Sequence, residues 1–293
     1  MDGKTEAAGH RSQEARLSLD QTFEIAGGSV AGRDHRASML NSHDAYYWEA
    51  HPGVIVAVVC DGCGSGGHSE VGAKLGARMV VRQVLRWIGS DPKAFTRDRI
   101  VDRGLPLVRR SVLSQIQLLA DQMAGSFSEV VSDYFLFTVV GAIITPEDSF
   151  VFGAGDGVVV VNDALMLLGD DKNKPPYLAY SLVETEESIE PKFEVFTQDR
   201  QSNVRTILLG TDGVRDFIKS AGKTIPGKDE QIGSVDQFWK NDLFFKNPFG
   251  IQRRLSLVNR TVTKADYEKK VVHEEHGHLT DDTTILVIRR RKG

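Results

Sequence analysis

The sequence predicts a layered α+β domain, with sheets inside and helices outside. The run Val54-Ile-Val-Ala-Val-Val-Cys60 has the composition of a strand covered on both faces. Two later stretches place apolar residues at helical intervals, and short strands joined by tight turns follow them. Strands only a few residues apart pair antiparallel, because a parallel crossover needs about a dozen residues.

Taken in order, residues 1–20 are polar, charged and aperiodic. They are expected to form a disordered tail ahead of one domain over 21–293. After strand 54–60 and a Gly-rich turn, Val71, Leu75, Met79, Val80 and Val84 predict a helix whose apolar stripe is core. Leu105, Val108, Val112, Ile116 and Leu119 predict a second. Phe135 to Ile144 reads as a strand, Thr145-Pro-Glu-Asp148 as a turn, and Ser149 to Gly153 as the return. Val158 to Val161, Asn162-Asp163 and Leu165 to Leu168 repeat the pattern, completing a meander. Residues 169–204, rich in charge and Pro, are expected to form a surface excursion, whose stretch from Gly169 to Asn203 helps set substrate choice. Strands at Thr206–Leu209 and Thr284–Ile288 and helices near Val214–Ser220 and Ile251–Val258 complete the prediction.

Composition narrows the class. The 293 residues carry 36 Lys plus Arg against 40 Asp plus Glu, a net charge of −4, with 41% hydrophobic residues. That is the balance of a soluble globular protein with a sizeable core. Mild acidity argues against a nucleic-acid partner, which wants a basic face. No apolar run approaches the ~20 residues of a membrane helix, so no membrane partner is expected. Two cysteines build no disulfide framework, and no apolar leader opens the sequence, so a cytoplasmic location is expected.

Acidic residues stand where apolar strands stop. Asp61-Gly62 follows strand 54–60, and Asp156-Gly157 lies between two strands of the meander. Asp212-Gly213 follows Ile207-Leu-Leu-Gly-Thr, Asp281-Asp282 precedes the last strand, and Asp44 stands ahead of the first. Any one of these pairs alone is an ordinary turn. Together they would bring several carboxylates to one edge, where repulsion is costly and a hard cation such as Mg²⁺ or Mn²⁺ relieves it.

In this order and spacing, the motifs resemble those of PPM-type metal-dependent serine/threonine protein phosphatases (type 2C-like), bacterial branch. They are Gly32-Arg-Asp-His35 with Asn41-Ser-His-Asp-Ala45, Val58-Val-Cys-Asp-Gly-Cys-Gly-Ser-Gly-Gly67, Gly155-Asp-Gly157, Thr211-Asp-Gly-Val-Arg-Asp216 and Asp281-Asp-Thr-Thr284. The resemblance spans about Gly28 to Ile288. It implies a four-layer αββα sandwich, two antiparallel sheets flanked by helices. It also implies that Asp61 bridges two Mn²⁺ or Mg²⁺ ions, that the Gly62 carbonyl binds one, and that Asp212 and Asp281 complete the shell of the first ion. Asp44 acts at the second ion, and Asp156 and Asp216, with Asp212, match a weaker third site in some bacterial members. The implied reaction is hydrolysis of phosphoserine or phosphothreonine on a protein by water activated between two cations. The implied partners are a phosphoprotein substrate and a cognate serine/threonine kinase.

The sequence departs from the family pattern in four places. His43 stands where bacterial members more often have Gln or Glu, and Gly157 where the motif has Ser. Cys63 replaces the His that follows Asp-Gly in eukaryotic members; no covalent intermediate is needed, so no nucleophilic role falls to it. Met39 occupies the usual place of the phosphate-binding Arg, which leaves Arg36 as the candidate for substrate phosphate. These changes also allow an alternative, a catalytically weak pseudophosphatase that binds phosphoproteins as a regulatory module. Retention of Asp44, Asp61, Asp212 and Asp281 argues against it, since a binding module needs no such crowding.

Three rival signals are weaker. Gly62-Cys-Gly-Ser-Gly-Gly67 resembles the nucleotide turn of S-adenosylmethionine-dependent methyltransferases, but no second strand with an acidic end follows. Cys60-x-x-Cys63 lacks the further ligands of a zinc site, and Cys60 ends a buried strand. His273-Glu-Glu-His-Gly-His278 and Arg289-Arg-Arg-Lys292 read as a solvated turn and a solvated basic end.

Overall fold

Alternation along the strands builds two cores from one apolar run. In 54–60, Val54, Val56, Val58 and Cys60 pack against helices, while Ile55, Ala57 and Val59 pack against a second sheet. A strand buried on both faces has no polar side, which is why this run shows no alternation in the sequence. The computed structural model describes residues 18–91, 97–169, 175–183 and 191–292.

A one-turn helix α1 (Leu19–Thr22) leads into strand β1 (Phe23–Val30), helix α2 (Arg33–Ala37) and strands β2 (Asp44–His51) and β3 (Val54–Asp61). Helices α3 (Ser69–Ser90), α4 (Leu105–Ala120) and α5 (Phe127–Tyr134) follow. The middle of the chain is β4 (Val139–Ile144), β5 (Asp148–Ala154), β6 (Gly157–Val161), β7 (Ala164–Leu168), β8 (Glu194–Arg200) and β9 (Thr206–Gly210). Helices α6 (Val214–Lys219) and α7 (Gly250–Val258), the hairpin β10 (Val262–Asp266) and β11 (Val271–Glu275), and strand β12 (Thr283–Arg290) complete it.

The strands form two five-stranded antiparallel sheets, in orders β1-β12-β9-β6-β7 and β2-β3-β4-β5-β8, besides the small β10-β11 hairpin. Their facing sides meet in a core that includes Phe23, Ile55, Val140, Ile207 and Leu286. The outer face of the β3 sheet is covered by α3, α4 and α5, and that of the β12 sheet by α6 and α7. This is the αββα sandwich that the resemblance implied.

Several expectations are corrected. Of the tail expected over 1–20, residues 1–17 lie outside the described residues, whereas Leu19 is a buried helical residue. The meander is split: β5 belongs to one sheet and β6 to the other, so the chain changes sheets at Gly155-Asp156. Phe135 caps α5, and the strand expected from 135 begins only at Val139. Within 169–204, residues 170–174 and 184–190 lie outside the described residues, but Leu178, Ala179 and Tyr180 are buried and β8 pairs with β5. His273-Glu-Glu belongs to strand β11, exposed on both faces and therefore without an alternation to read.

Helix α3 holds the plainest error. Val71 and Leu75 are 39% and 37% exposed, and the buried stripe runs through Gly72, Ala73, Gly76, Ala77, Val80, Val81 and Val84. Small side chains let the helix lie close on the sheet, so the residues that pack best carry the weakest hydrophobic signal.

Candidate metal centre

The acidic residues gather because strand register places their strand ends on one edge of the sandwich. Asp44 opens β2, rather than standing ahead of a strand, and pairs in register with Asp61 at the end of β3. In the facing sheet, Gly210 at the end of β9 is in register with Val158 near the start of β6 and Ile285 near the start of β12. That brings the flanking Asp156, Asp212 and Asp281 to one end. Asp61 is close enough to Asp44, Asp212, Asp281 and Asp156 for each to raise its pKa.

Burial and mutual repulsion make these acids reluctant to ionise. Asp44 is pushed well above the usual carboxylate range, chiefly by burial, although the Thr211 hydroxyl donates to its Oδ2 at 2.7 Å. Asp61 rises first by burial and then by the four neighbouring carboxylates. Asp212 is pushed up to about 6 by burial, Asp281 and Asp156, with a hydrogen bond to Asp61 and then the charge of Arg215 pulling the other way. Asp281 is raised by partial desolvation and by Asp282.

Two buried oxygens in this cluster have no hydrogen-bond partner among the described residues. Asp44 Oδ1 and Asp212 Oδ1 are buried, and neither accepts a hydrogen bond from a described residue. A buried carboxylate oxygen without a donor is costly, so these atoms call for a ligand from outside the chain. The donor set is oxygen, anionic and solvent-reachable at Asp281, which fits a hard divalent cation. The carboxylates are not drawn into a closed cage: among the described residues, no group of three His, Cys, Asp or Glu grips a single point.

A second carboxylate, unassigned in the sequence reading, builds the wall of this site. Asp282 accepts the main-chain N–H groups of Gly32 and His43 and lies 2.8 Å from His35 Nδ1. The His35 and His43 rings stack tilted with centroids 4.3 Å apart. His43 is buried, with Nδ1 3.0 Å from the Ser69 hydroxyl, which itself donates to the Cys63 carbonyl. Burial and the charge of His35 lower its pKa, favouring neutral imidazole. The Asp281-Asp282 pair was visible in the sequence, but only the fold tells which of the two faces the loop.

Glycines admit the tight approaches here. Gly157 has φ +148°, and a Cβ there would stand 2.7 Å from the Gly210 carbonyl oxygen. This explains physically why a Ser of the family pattern is absent. A Cβ at Gly213 would fall 2.0 Å from the Asp282 carbonyl oxygen, so the segments bearing Asp212 and Asp282 touch through it.

The remaining expected residues divide. The Gly62 N–H donates to the His43 carbonyl at 3.2 Å, and Gly62 bridges Phe137, which holds the turn after Asp61 against the sheet. Asp216 accepts the Thr280 N–H at 3.0 Å, next to Asp281. Arg36 is exposed and donates to the Asn259 carbonyl at the C-terminal end of α7. Met39 is 94% exposed with φ +56°. Both cysteines are free thiols; Cys63 lies 3.1 Å from the Ser65 hydroxyl. Hydrogen bonds from Ser65, Tyr177 and the Gly66 backbone outweigh burial and lower its pKa.

Known proteins share this architecture. The serine/threonine phosphatase Stp1 from Staphylococcus aureus is 14% identical with a TM-score of 0.54, covering 100% of each chain. A bacterial serine phosphatase is 13% identical with a TM-score of 0.52, covering 92% of this chain and 99% of its own. A C. elegans sex-determining protein is 12% identical with a TM-score of 0.52, covering 92% of this chain and 65% of its own. At these identities the likeness is one of fold. No curated protein matches the sequence. The family profile described as protein phosphatase 2C matches residues 31–241, most of the chain. With its motifs at one edge of an αββα sandwich, this chain belongs to the protein phosphatase 2C family.

Proposed function

We propose that the protein is a metal-dependent phosphatase of phosphoserine and phosphothreonine on proteins. The observation that carries this is the pair of buried, donorless oxygens, Asp44 Oδ1 and Asp212 Oδ1, among acids that resist ionising alone. Asp61, Asp44, Asp212, Asp281 and the Gly62 carbonyl hold two Mn²⁺ or Mg²⁺ ions, and Asp156 and Asp216, with Asp212, offer a weaker third place. When bound, such a pair supplies an activated water near neutral pH and offsets charge on the phosphoryl oxygens.

The chain's own residues do the positioning. The Thr211 hydroxyl orients Asp44 through Oδ2, leaving Oδ1 without a donor among the described residues. Asp282 fixes the loop that leads into Asp44 by holding Gly32 and His43. Arg36 is the proposed contact for substrate phosphate: a guanidinium has five N–H donors, and its contact with Asn259 engages Nη1. Catalysis takes place on a phosphoprotein substrate, in opposition to a serine/threonine kinase.

The test is phosphate release from a phosphothreonine peptide with Mn²⁺ and then with excess EDTA. Release abolished by EDTA is the expected result. A second reading, the phosphoprotein-binding pseudophosphatase, is favoured by Met39, almost fully exposed, in the place of the usual Arg. No release by folded protein in Mn²⁺ would select it.

A further inference from the structure

The helix layer over the β3 sheet carries a charge unlike that of the rest of the chain. Across residues 69–90 and 105–120 the cations are Lys74, Arg78, Arg82, Arg86, Arg109 and Arg110, and the one acid is Glu70. This sits in a protein of net charge −4. Lys74, Arg78, Arg82 and Arg86 recur every four residues, so they form one stripe along α3. All four are exposed, as is Arg110, and none of the five forms an ion pair with a described residue. Arg109 differs, because it turns inward to the Pro191 carbonyl and the Ser181 hydroxyl.

Beside the stripe lies an apolar groove. Leu75 and Met79 of α3 face Leu118 and Leu119 of α4 across a cleft of about 410 Å³, rimmed by Arg78, Arg82 and Arg86. A second depression, walled by Arg86, Arg110, Ser111 and Ser114, continues it through Gln83 and Gln115. Leu118 is 58% exposed and Leu75 37%, while Met79 and Leu119 are half-buried and form the floor. From Leu75 to Arg86 the groove runs for ~17 Å, about three helical turns. Leu75 is displaced from the core by the small residues of α3 that face the sheet.

We propose that this groove docks an acidic amphipathic helix of a partner protein, its apolar side on Leu75, Met79 and Leu118 and its carboxylates against the arginine stripe. An apolar floor between cationic walls matches a helix that is apolar on one side and acidic on the other. Nucleic acid would meet leucine where it needs donors and would be repelled by the remaining acidic surface. A bilayer would want apolar side chains projecting beyond the cations, whereas Met79 and Leu119 lie below them. The same helix α3 begins at the metal centre, where Ser69 braces His43, so an occupant would grip an element rooted there.

The probe is a fluorescent synthetic helix of about 18 residues with Leu at three- and four-residue spacing and Glu elsewhere. It is titrated into the full chain by anisotropy, beside a scrambled peptide of the same composition and vesicles of phosphatidylcholine and phosphatidylglycerol. Expected is a dissociation constant on the order of 10 µM for the patterned helix and at least ~10-fold weaker binding of the scramble. Arg82→Glu, Arg82→Gln and Leu118→Gln should each weaken binding about 10-fold or more while the thermal midpoint and phosphatase turnover stay as in the wild type. Saturation absent up to about 200 µM overturns the proposal. So does equal binding of the scramble, binding insensitive to the variants, or a preference for the anionic vesicles.

Discussion

Asp282 and His43 lie 239 residues apart, yet the Asp282 carboxylate accepts the His43 main-chain N–H and so joins the last motif to the first. The same carboxylate accepts the Gly32 N–H at 2.6 Å. Asp282→Ala leaves two buried N–H groups without an acceptor, and should destabilise the fold by about 2–4 kcal/mol in denaturant unfolding. Asp282→Asn keeps one acceptor and should cost roughly half as much. A cost below about 0.5 kcal/mol for the alanine variant would remove the clamp from the account.

Asp212 tests the metal centre. Asp212→Asn should lower turnover about 100-fold or more with Mn²⁺ while the far-UV spectrum and unfolding midpoint survive. Near-normal turnover in the folded variant would remove Asp212 from the site.

The same residue predicts a pH dependence in metal-free protein. Its folded pKa of about 6 lies above the unfolded value of 3.8. Between these values the folded chain holds a proton that the unfolded chain has lost, so stability falls as pH rises from about 4 to 6. The loss from Asp212 alone is at most about 3 kcal/mol, and is smaller for its solvent-facing side. Thermal melts of wild type and Asp212→Asn should therefore diverge over this window, with the wild type losing more. Saturating Mn²⁺ should close the gap at pH 7 by binding the folded state.

Gly157→Ser restores the family pattern but should harm this protein. At φ +148° and 2.7 Å from the Gly210 carbonyl oxygen, a Cβ forces the β6 entry to move. The expected cost is about 1–3 kcal/mol, read as a lower denaturation midpoint.

Arg36 separates two roles by two measurements. If it meets substrate phosphate, Arg36→Ala raises KM for the phosphopeptide several-fold with kcat little changed. If its bond to the Asn259 carbonyl is its whole role, the same variant lowers stability by about 1 kcal/mol and leaves KM alone.

Much of this was legible in the chain. The run 54–60, the helical periods around Val80 and Val112, and Asp44, Asp61, Asp156, Asp212 and Asp281 at strand ends are local facts, set by side-chain period and turn chemistry. They determined the class of fold and which residues were candidates. Tertiary structure decided what depends on contacts distant in sequence. It put β5 and β6 in different sheets, because one glycine-flanked turn at Asp156 suffices to change layers. It buried Gly72 and Ala73 instead of Val71, because closeness to the sheet outweighs hydrophobicity there. It set Asp282 against the first motif and drew Arg36 to Asn259. A carboxylate's partner is chosen by whichever donor the fold brings within about 3 Å, and no spacing along the chain encodes that distance.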